Sequence, residues 1–417
     1  MIKEGFAGLA GLVAGRSRYV RALAAISRLA ALYGRSRKDD LHECHRRGAA
    51  ILCELCRRNG GFWVKAAQFF SCRPDVLPRE YIEAFQQLQN DARPVSFAHI
   101  EKALTRTWGT DWRDRFRWVD ETPVAVASIA QVHRAALKEG GEVALKIRLP
   151  GVKQEFEQDA RVFQALASIV APRFQEFDLK QAIEQLLVMT AMELDFRNEA
   201  ANTQRFARQP HPERIRIPEL VKGLCSERIL VTTWEKGERL RNYLDAHPEA
   251  ASDLLGVLLS SYLQQVTRFG VYQADPHPGN FLVNDQEQVV ILDFGAIGIL
   301  TPDEVRRYSR LLYGLMGFEG EVDIGALFVQ AGFKGGSPET LKELALYVLT
   351  DRLNQQGPVA AMGDLMDRFR EERISIPDSY IGISRVLITL GGFLMSYNVP
   401  FDWTPPEQRL VQTRGRD

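Results

Sequence analysis

The sequence predicts a bilobal α+β protein, in which a small strand-containing lobe is followed by a larger, mainly helical lobe. Three observations support this prediction. Strand character appears over residues 118–148 and again over 214–233. Helical spacing of apolar residues prevails over 40–116, over 152–207 and from about 238 to the end, interrupted by one strand-rich stretch at 281–293. The chain has 417 residues, which is more than one ordinary domain core accommodates.

The first segment of the chain is basic and amphipathic. Residues 1–38 hold eight lysines or arginines against one acid, Glu4, whereas the whole chain has a net charge of zero. Two hypotheses stay open for this segment: a helix packed on the protein body, or a helix that meets an anionic membrane surface or a phosphate-rich partner. Overall neutrality argues against a general attraction to nucleic acid, and we expect no nucleic-acid partner.

The apolar patterning predicts a cytoplasmic protein, peripheral to a membrane under the second hypothesis. No stretch reaches the roughly 18 uninterrupted apolar residues of a spanning helix. The nearest stretch, 381–395, is short and contains Arg385. The N-terminus also lacks the clean apolar run of a signal peptide.

The cysteines favour a reducing compartment. There are five, an odd number that is small for the length, so a disulfide framework is not expected. Cys53 and Cys56, with Cys44, His42 and His45 nearby, raise the alternative of a zinc site. A single Cys-x-x-Cys within a helical pattern favours free thiols instead.

A lysine closes the second strand of a predicted hairpin. The strands are Val124–Ala135 and Glu142–Arg148, and the lysine is Lys146 in Val-Ala-Leu-Lys. In a kinase-like lobe such a lysine reaches the α and β phosphates of ATP and is steadied by a glutamate from a nearby helix. Taken alone, the motif is equally typical of a solvated lysine at a strand end.

Two polar loops follow in the second lobe. Asp275-Pro-His-Pro-Gly-Asn280 has the Asp-to-Asn spacing of a kinase catalytic loop, in which the Asp faces the acceptor and the Asn holds a metal. An apolar strand then delivers Asp293 into an Asp-Phe-Gly turn, so that Asn280 and Asp293 offer oxygen ligands to Mg²⁺. Each loop alone could be an ordinary polar turn. Their order after Lys146 predicts a kinase-like site for ATP and Mg²⁺, with Asp275 as the candidate base.

The glycine-rich loop of ordinary kinases has no counterpart before Lys146, where Pro123–Ala135 is rich in alanine instead. Glycine permits backbone conformations and close approaches that alanine resists. We therefore expect the phosphates to be covered differently, with Ser128 and Gln131 as side-chain donors. Nucleotide preference and metal dependence are expected to differ from those of ordinary kinases.

With these motifs the sequence resembles the UbiB/AarF family of atypical kinase-like proteins, from about residue 60 to about 403. The family signature Lys-x-Gly-Gln stands here as Lys65-Ala-Ala-Gln68, followed by Ser-x-Arg-Pro-Asp-x-Leu-Pro at 71–78, with Ala67 in place of the glycine. The resemblance implies a bilobal, protein-kinase-like α+β fold with an N-terminal helical extension. It also implies a regulatory role for Lys65 and Gln68, on a helix that occupies the space a protein substrate would need.

The resemblance implies further site residues. The alanine-rich loop is represented by Ala125-Val-Ala127-Ser128, which with Gln131 and Lys146 would bind the nucleotide. Glu193 and Asp195 match a Glu-x-Asp motif that pairs with the Lys-x-Gly-Gln helix and the metal region, and so would be regulatory. From the residues alone, this pair is also typical of a solvated helix face. Glu199 matches the catalytic glutamate that pairs with the nucleotide lysine.

Four regions are expected: a basic segment at 1–40, a helical extension at 41–116, a kinase-like N-lobe at 117–237 and a helical C-lobe at 238–417. Three functions stay open. The first is an ATP-binding, Mg²⁺-dependent ATPase or phosphotransferase supporting isoprenoid-lipid metabolism of the ubiquinone type, with an isoprenoid lipid and lipid-biosynthesis proteins as partners. The second is a kinase that phosphorylates a protein or small molecule in trans, which the Lys65–Gln68 helix should hinder. The third is a non-catalytic, nucleotide-gated scaffold.

Overall fold

The computed structural model describes most of the chain. The described residues are 2–34, 41–71, 77–88, 94–170, 179–315, 322–346, 368–369, 371–372 and 374–399, and side chains at 2–16, 86, 166–170, 179 and 345–346 lie outside the description. The chain divides into two compact units. Unit 1 comprises Met1–Asn198 and Val221–Thr233, and unit 2 comprises Glu199–Leu220 and Trp234–Asp417.

Unit 1 combines a group of helices with one sheet. The helices are α1 (Ile2–Gly34), α2 (Leu41–Asn59), α3 (Phe62–Ser71), α4 (Arg79–Gln86), α5 (Phe97–Trp108), α6 (Val152–Val170), α7 (Leu179–Glu193) and the start of α8 (Phe196–Ala207). The strands are β1 (Phe116–Val119), β2 (Ala125–Val126), β3 (Ala130–Leu137), β4 (Glu142–Arg148) and β6 (Ile229–Thr233). They form one sheet in the order β1-β3-β4-β6, with β2 paired to β3 and every pairing antiparallel.

The sheet of unit 1 buries one face against α5. Val143, Leu145 and Ile147 of β4 are almost fully buried in a cluster with Ile100 and Leu104 of α5. Because side chains alternate across a strand, the residues between them lie on the opposite face. Lys146 is one of these, and it stands opposite Val132 of β3 and Leu230 of β6.

The described part of α1 packs on the body of unit 1. Ala22 and Ala25 are buried in a cluster with α2, α3 and α6. Arg18 binds Asp159 of α6 at 2.9 Å, and Arg21 donates to Asn59 of α2 at 2.7 Å. For residues 17–34, these contacts favour the packed helix over the helix that lies on a membrane surface.

Unit 2 is mainly helical. Its helices are the remainder of α8, α9 (Leu240–Ala246), α10 (Ala251–Gln264), α11 (Pro302–Leu315), α12 (Ile324–Gln330), α13 (Pro338–Leu346) and α14 (Asp378–Ser396). Its strands are β5 (Ile215–Arg216), β7 (Glu238–Arg239), β8 (Val271–Gln273), β9 (Phe281–Val283), β10 (Val289–Ile291) and β11 (Ile297–Ile299). One sheet has the order β5-β10-β9-β7, and β11 pairs with β8 in a second sheet. Between α10 and β8, residues Gln265–Phe269 form a π-helical turn.

Within the described residues, α14 is the one helix whose length and apolar composition would suit a membrane span, with a mean hydropathy of 1.3. The core helix of a globular unit has the same properties. Ile383, Val386 and Leu390 of α14 are buried in the core of unit 2. Arg385 donates to the main-chain carbonyl of Ala274 at 2.5 Å.

The α+β prediction is confirmed, and the structure refines its details. The strand expected at Val124–Ala135 is two strands, β2 and β3, joined by a tight turn in which Ala127 N–H donates to Ala130 O at 2.8 Å. The pattern missed β8 and β11, which have three residues each. Residues 72–76 of the signature at 71–78 lie outside the described residues.

Candidate active site

Lys146 lies on the face of the unit 1 sheet opposite to α5, next to the start of α8. Its Nζ is 5.6 Å from the centre of the Phe196 ring, which is within the range of a cation–π interaction. Phe196 is fully buried, and its N–H donates to Glu227 O at 3.1 Å. The aromatic ring therefore supports the lysine side chain through a cation–π contact.

The Lys65 helix and the Glu-x-Asp motif meet within unit 1. Lys65 of α3 forms an ion pair with Glu193 at the end of α7. Asp195 instead binds the guanidinium of Arg197, with the shortest N–O distance 2.6 Å. That hydrogen bond is the main reason why the pKa of Asp195 lies below its usual value. Gln68 is exposed, and its amide donates to Leu88 O at 3.3 Å.

Arg148 is a site-supporting residue that the sequence analysis missed. It lies two residues after Lys146 on the same face of β4, and only 6% of its side chain is exposed. Its guanidinium donates to Leu194 O and, at 3.2 Å, to Glu227. It thereby fastens the Glu193–Asp195 segment to the sheet. The signal available in the sequence was a second basic residue two positions after the lysine, on the same face of the strand.

The alanine-rich loop is the turn between β2 and β3. Ala125 and Ser128 are half-buried and Ala127 is exposed, at the tip and base of this turn. These positions are compatible with the predicted nucleotide contacts, which stay predictions.

Gln131 requires a correction. It stands opposite Ile147, on the core face, and is fully buried. Its Oε1 accepts from Val95 N–H at 2.5 Å, and its Nε2 donates to Val95 O at 3.3 Å. Since Lys146 lies on the other face of the sheet, Gln131 does not fit the role of a phosphate donor. Its role is to hold the main chain ahead of α5.

The Asp275–Asn280 loop is closely hydrogen-bonded within unit 2. Asn280 Nδ2 donates to Asp275 O at 3.1 Å, and His277 N–H donates to the same oxygen at 2.8 Å. His277 also accepts from Gly279 N–H through Nδ1 at 3.1 Å. These hydrogen bonds hold Asp275 and Asn280 on one short turn.

Asp293 follows β10 and is oriented by the turn that it begins. Its Oδ1 accepts from Gly295 N–H at 2.7 Å, and Asn202 of α8 donates to Phe294 O at 3.0 Å. Leu292 N–H donates to Asn280 O at 2.9 Å, which joins this loop to the Asp275–Asn280 loop. The structure therefore brings Asp275, Asn280 and Asp293 together in unit 2.

Glu199 shares this part of unit 2. It is 5% exposed, and a Cβ placed on Gly295 would lie 3.8 Å from its Oε2 and 3.1 Å from Asp293 Oδ1. Both carboxylate oxygens thus lie within 4 Å of the same point beside Gly295, where a cation would reduce the repulsion between them. Lys146 belongs to unit 1, and its pairing with Glu199 stays a prediction.

Asn280 and Asp293 have the chemistry to hold Mg²⁺. Asn280 uses its Nδ2 to donate to the loop, which leaves its amide oxygen to serve as a ligand, and Mg²⁺ prefers oxygen ligands. Among the residues that the structure describes, no three His, Cys, Asp or Glu side chains form a metal site by themselves. Nucleotide phosphates and water would therefore complete the coordination.

Three of the cysteines lie on α2. Cys44, Cys53 and Cys56 are buried and unpaired by disulfides, and burial raises the pKa of Cys56 to about 12. Zinc ligation requires thiolates, which this environment disfavours.

Comparison with known proteins identifies the family. The family model described as the ABC1 atypical kinase-like domain matches residues 87–321, which is more than half of the chain. A protein of the hydrogenase 1 5′ region of Clostridium pasteurianum is 34% identical over 58% of this chain and 46% of its own length. The AarF domain-containing protein kinase 1 of Mus musculus is 28% identical over 66% of this chain and 54% of its own length.

Two further comparisons cover more of the chain. The protein ACTIVITY OF BC1 COMPLEX KINASE 7, chloroplastic, of Arabidopsis thaliana is 26% identical over 89% of this chain and 56% of its own length. The chain thus spans about half the length of these curated relatives. A solved structure from Mycobacterium tuberculosis, Rv3197 in complex with erythromycin, has the same fold, with a TM-score of 0.59, 24% identity and coverage of 87% of this chain and 95% of its own. The family match supports ATP as the ligand of a kinase-like domain, and the chain belongs to the ABC1 (UbiB/AarF) family of atypical kinase-like proteins.

Proposed function

We propose that the chain is a Mg²⁺-dependent ATPase or phosphotransferase that supports isoprenoid-lipid metabolism, of the ubiquinone type, at a membrane surface. The observation that carries the enzymatic part is the joining of the Asp275–Asn280 and Asp293 loops by hydrogen bonds in unit 2. In phosphoryl transfer the protein mainly positions groups and neutralises charge, and these are the groups required.

Each residue has a defined role in this proposal. Asp293 and Asn280 hold Mg²⁺, which neutralises charge on the phosphates when bound. Asp275 accepts the proton of the attacking hydroxyl or water. Lys146 is the nucleotide lysine, and Glu199 is the acid that steadies it. Lys65, held by Glu193, is the regulatory residue of the helical extension.

The membrane part of the proposal depends on the basic segment at residues 1–38. Eight basic residues lie within residues 1–38, and positive segments are attracted to anionic leaflets. The names of the relatives support a kinase rather than a particular lipid pathway. Isoprenoid lipids, lipid-biosynthesis proteins and a cytoplasmic, peripheral location are accordingly parts of the proposal.

ATP binding and hydrolysis test the enzymatic part. Asp293→Asn should weaken Mg²⁺-dependent binding of ATP, and Asp275→Asn should retain binding while turnover falls by at least about 100-fold, the usual contribution of a general base. Asp285→Asn, an exposed acid between β9 and β10, is the matched control and should change neither. Wild-type turnover in Asp293→Asn would refute the assigned metal role. Transfer of labelled phosphate to an added acceptor, lost in Asp275→Asn, would favour a kinase acting in trans.

Vesicle binding tests the membrane part. The full chain should sediment with vesicles that contain phosphatidylserine and not with neutral phosphatidylcholine vesicles, and its ATPase should rise with the former. Lys3→Glu with Arg16→Glu should abolish sedimentation, whereas Lys102→Glu with Arg106→Glu, on exposed positions of α5, is the charge-matched control. Equal loss in both pairs would show that net charge, rather than α1, determines the binding.

A further inference from the structure

The side chain of Gln273 joins the two polar loops of unit 2. Gln273 ends β8, two residues before Asp275, and is 1% exposed. We propose that Gln273 is a positioning residue, whose single neutral amide sets the distance between the main chains at Asp275 and Asp293. The inference rests on the proposed function for its catalytic consequence and on the geometry below for its structural part.

All four hydrogen-bonding positions of the amide are used. Nε2 donates to Asp275 O at 2.7 Å and to Asp293 O at 3.2 Å. Oε1 accepts from Asp275 N–H at 3.0 Å and from the Tyr262 hydroxyl at 2.6 Å. An amide has two N–H donors and two acceptor lone pairs, so none is left for a ligand. The residue therefore acts on the loops and does not contact the nucleotide.

The orientation of the amide is fixed by its partners. Two of them are main-chain carbonyls, which only accept, so the NH₂ group must face them. Reversal of the amide would place its oxygen against both carbonyls. The neutral amide thus has one satisfied orientation, and that orientation requires both loops to be in place.

Two further buried residues hold Gln273 itself. Its own N–H donates to Gln265 Oε1 at 3.0 Å, and Gln265 Nε2 donates to Ser261 Oγ at 3.2 Å. Gln265 is fully buried and begins the π-helical turn, a feature that often accompanies functional sites. Buried networks whose members are all satisfied are rigid, so movement of either loop would break bonds that have no replacement nearby.

Other side chains cannot reproduce this bridge. Glutamate would place a carboxylate oxygen against the two carbonyls. Asparagine is one methylene shorter and would withdraw the amide from both loops. Methionine has a similar volume but provides none of the four bonds. The kinase pattern His-Arg-Asp has an imidazole at this position relative to the aspartate. Each imidazole nitrogen makes one hydrogen bond, so the ring could satisfy two of the four partners.

The catalytic consequence follows from the sensitivity of enzymes to small displacements, since a misplacement of about 1 Å can cost about 100-fold in rate. Gln273→Met should lower kcat for ATP hydrolysis by about 10- to 100-fold while KM for ATP changes little, because the substrate-contacting residues are unchanged. Tyr262→Phe removes one of the four bonds and should lower kcat by only about 3- to 10-fold, the equivalent of one hydrogen bond. Gln265→Met is the comparison variant. It removes the acceptor of the Gln273 main-chain N–H but leaves all four bonds of the Gln273 amide, so it should lower kcat less than Gln273→Met does.

A second measurement does not require turnover. Hydrogen–deuterium exchange of the Asp275 amide, which donates to Gln273, should accelerate in Gln273→Met by at least about 10-fold and much less in Gln265→Met. The wild-type full chain and each variant are compared under conditions in which circular dichroism shows them folded, and Tyr262→Phe serves if Gln273→Met does not fold.

The outcomes separate the inference from the function. Selective loss of Asp275 protection together with a selective fall in kcat supports the inference. Equal effects of Gln273→Met and Gln265→Met on exchange and kcat would overturn it, because the bonds from the Gln273 amide to the two loops would then have no effect of their own. Unchanged exchange in Gln273→Met would also overturn it. Absence of ATPase activity in the wild type would refute the proposed function instead, and the exchange result would still decide whether Gln273 positions the loop.

Discussion

Replacement of Arg148 by methionine is expected to destabilise unit 1 by about 2–3 kcal/mol. The substitution keeps most of the aliphatic volume and removes every N–H donor of a side chain that is 6% exposed. Leu194 O, on a residue that is 3% exposed, loses a charged donor, and leaving a buried acceptor without its partner costs about 1–3 kcal/mol. Glu227 is one-third exposed and keeps its ion pair with Lys153 at 3.1 Å. Loss of the Arg148–Glu227 ion pair therefore adds no more than about 1 kcal/mol.

Lys153→Met provides a matched control, because Lys153 binds the same oxygen of Glu227 as Arg148 does. Its side chain is 50% exposed, so removal of this pair should cost only about 0.5 kcal/mol. Urea unfolding followed by tryptophan fluorescence measures both effects, since Trp63 and Trp112 are buried in unit 1. Equal destabilisation by the two variants, or a cost below about 0.5 kcal/mol for Arg148→Met, would refute the reasoning that the buried donor to Leu194 O stabilises the segment.

Three further predictions concern stability. Burial lowers the pKa of His133, so at acidic pH the unfolded chain binds a proton that the folded chain does not. The free energy of unfolding should therefore fall as the pH decreases below about 6.5, by up to about 1.4 kcal/mol per pH unit. His133→Asn should flatten this slope when urea unfolding is compared at about pH 5 and about pH 7. Gly48→Ala would place a methyl group against the Tyr81 hydroxyl and should cost about 1–3 kcal/mol, whereas Gly256→Ala, with nothing within 4 Å, should stabilise α10 by about 0.5–1 kcal/mol, both read from the urea midpoint. Arg385→Met removes the 2.5 Å hydrogen bond from α14 to the loop after β8 and should lower the unfolding free energy of unit 2 by about 1–3 kcal/mol, and an unchanged midpoint would contradict this.

Local motifs made much of the fold and part of the site predictable. The Val-Ala-Leu-Lys strand, the Asp275–Asn280 spacing and the Asp-Phe-Gly turn are short patterns whose geometry is determined by neighbours in sequence. The loops that carry Asp275, Asn280 and Asp293 are joined by hydrogen bonds, and the roles of these residues stay predictions. The prediction for Gln131 was wrong because composition alone does not decide which face of a strand is buried, and residue 131 lies on the face that packs against α5.

The residues that hold the site together could not be found in this way. The bond from Arg148 to Leu194 spans 46 positions, and that from Arg385 to Ala274 spans 111. Such pairs depend on tertiary packing and leave no periodic trace. Gln273 offered one signal, a polar residue in the strand Val271–Gln273 immediately ahead of the Asp275–Asn280 loop, where burial obliges an amide to find partners. β8 and β11 were missed because three residues are too few to show alternation.

The ion pair between α1 and α6 affects how the positive charge of α1 can act at a bilayer. A free basic residue near an anionic leaflet gains about 1 kcal/mol. Arg18 already forms an ion pair with Asp159, whose side chain is 3% exposed. If a lipid headgroup bound Arg18 instead, the buried carboxylate of Asp159 would lose its arginine partner, which is costly. Recruitment through this residue would be an exchange of partners with little net gain. The affinity of the segment for lipid should therefore depend on basic residues other than those that form ion pairs with buried carboxylates.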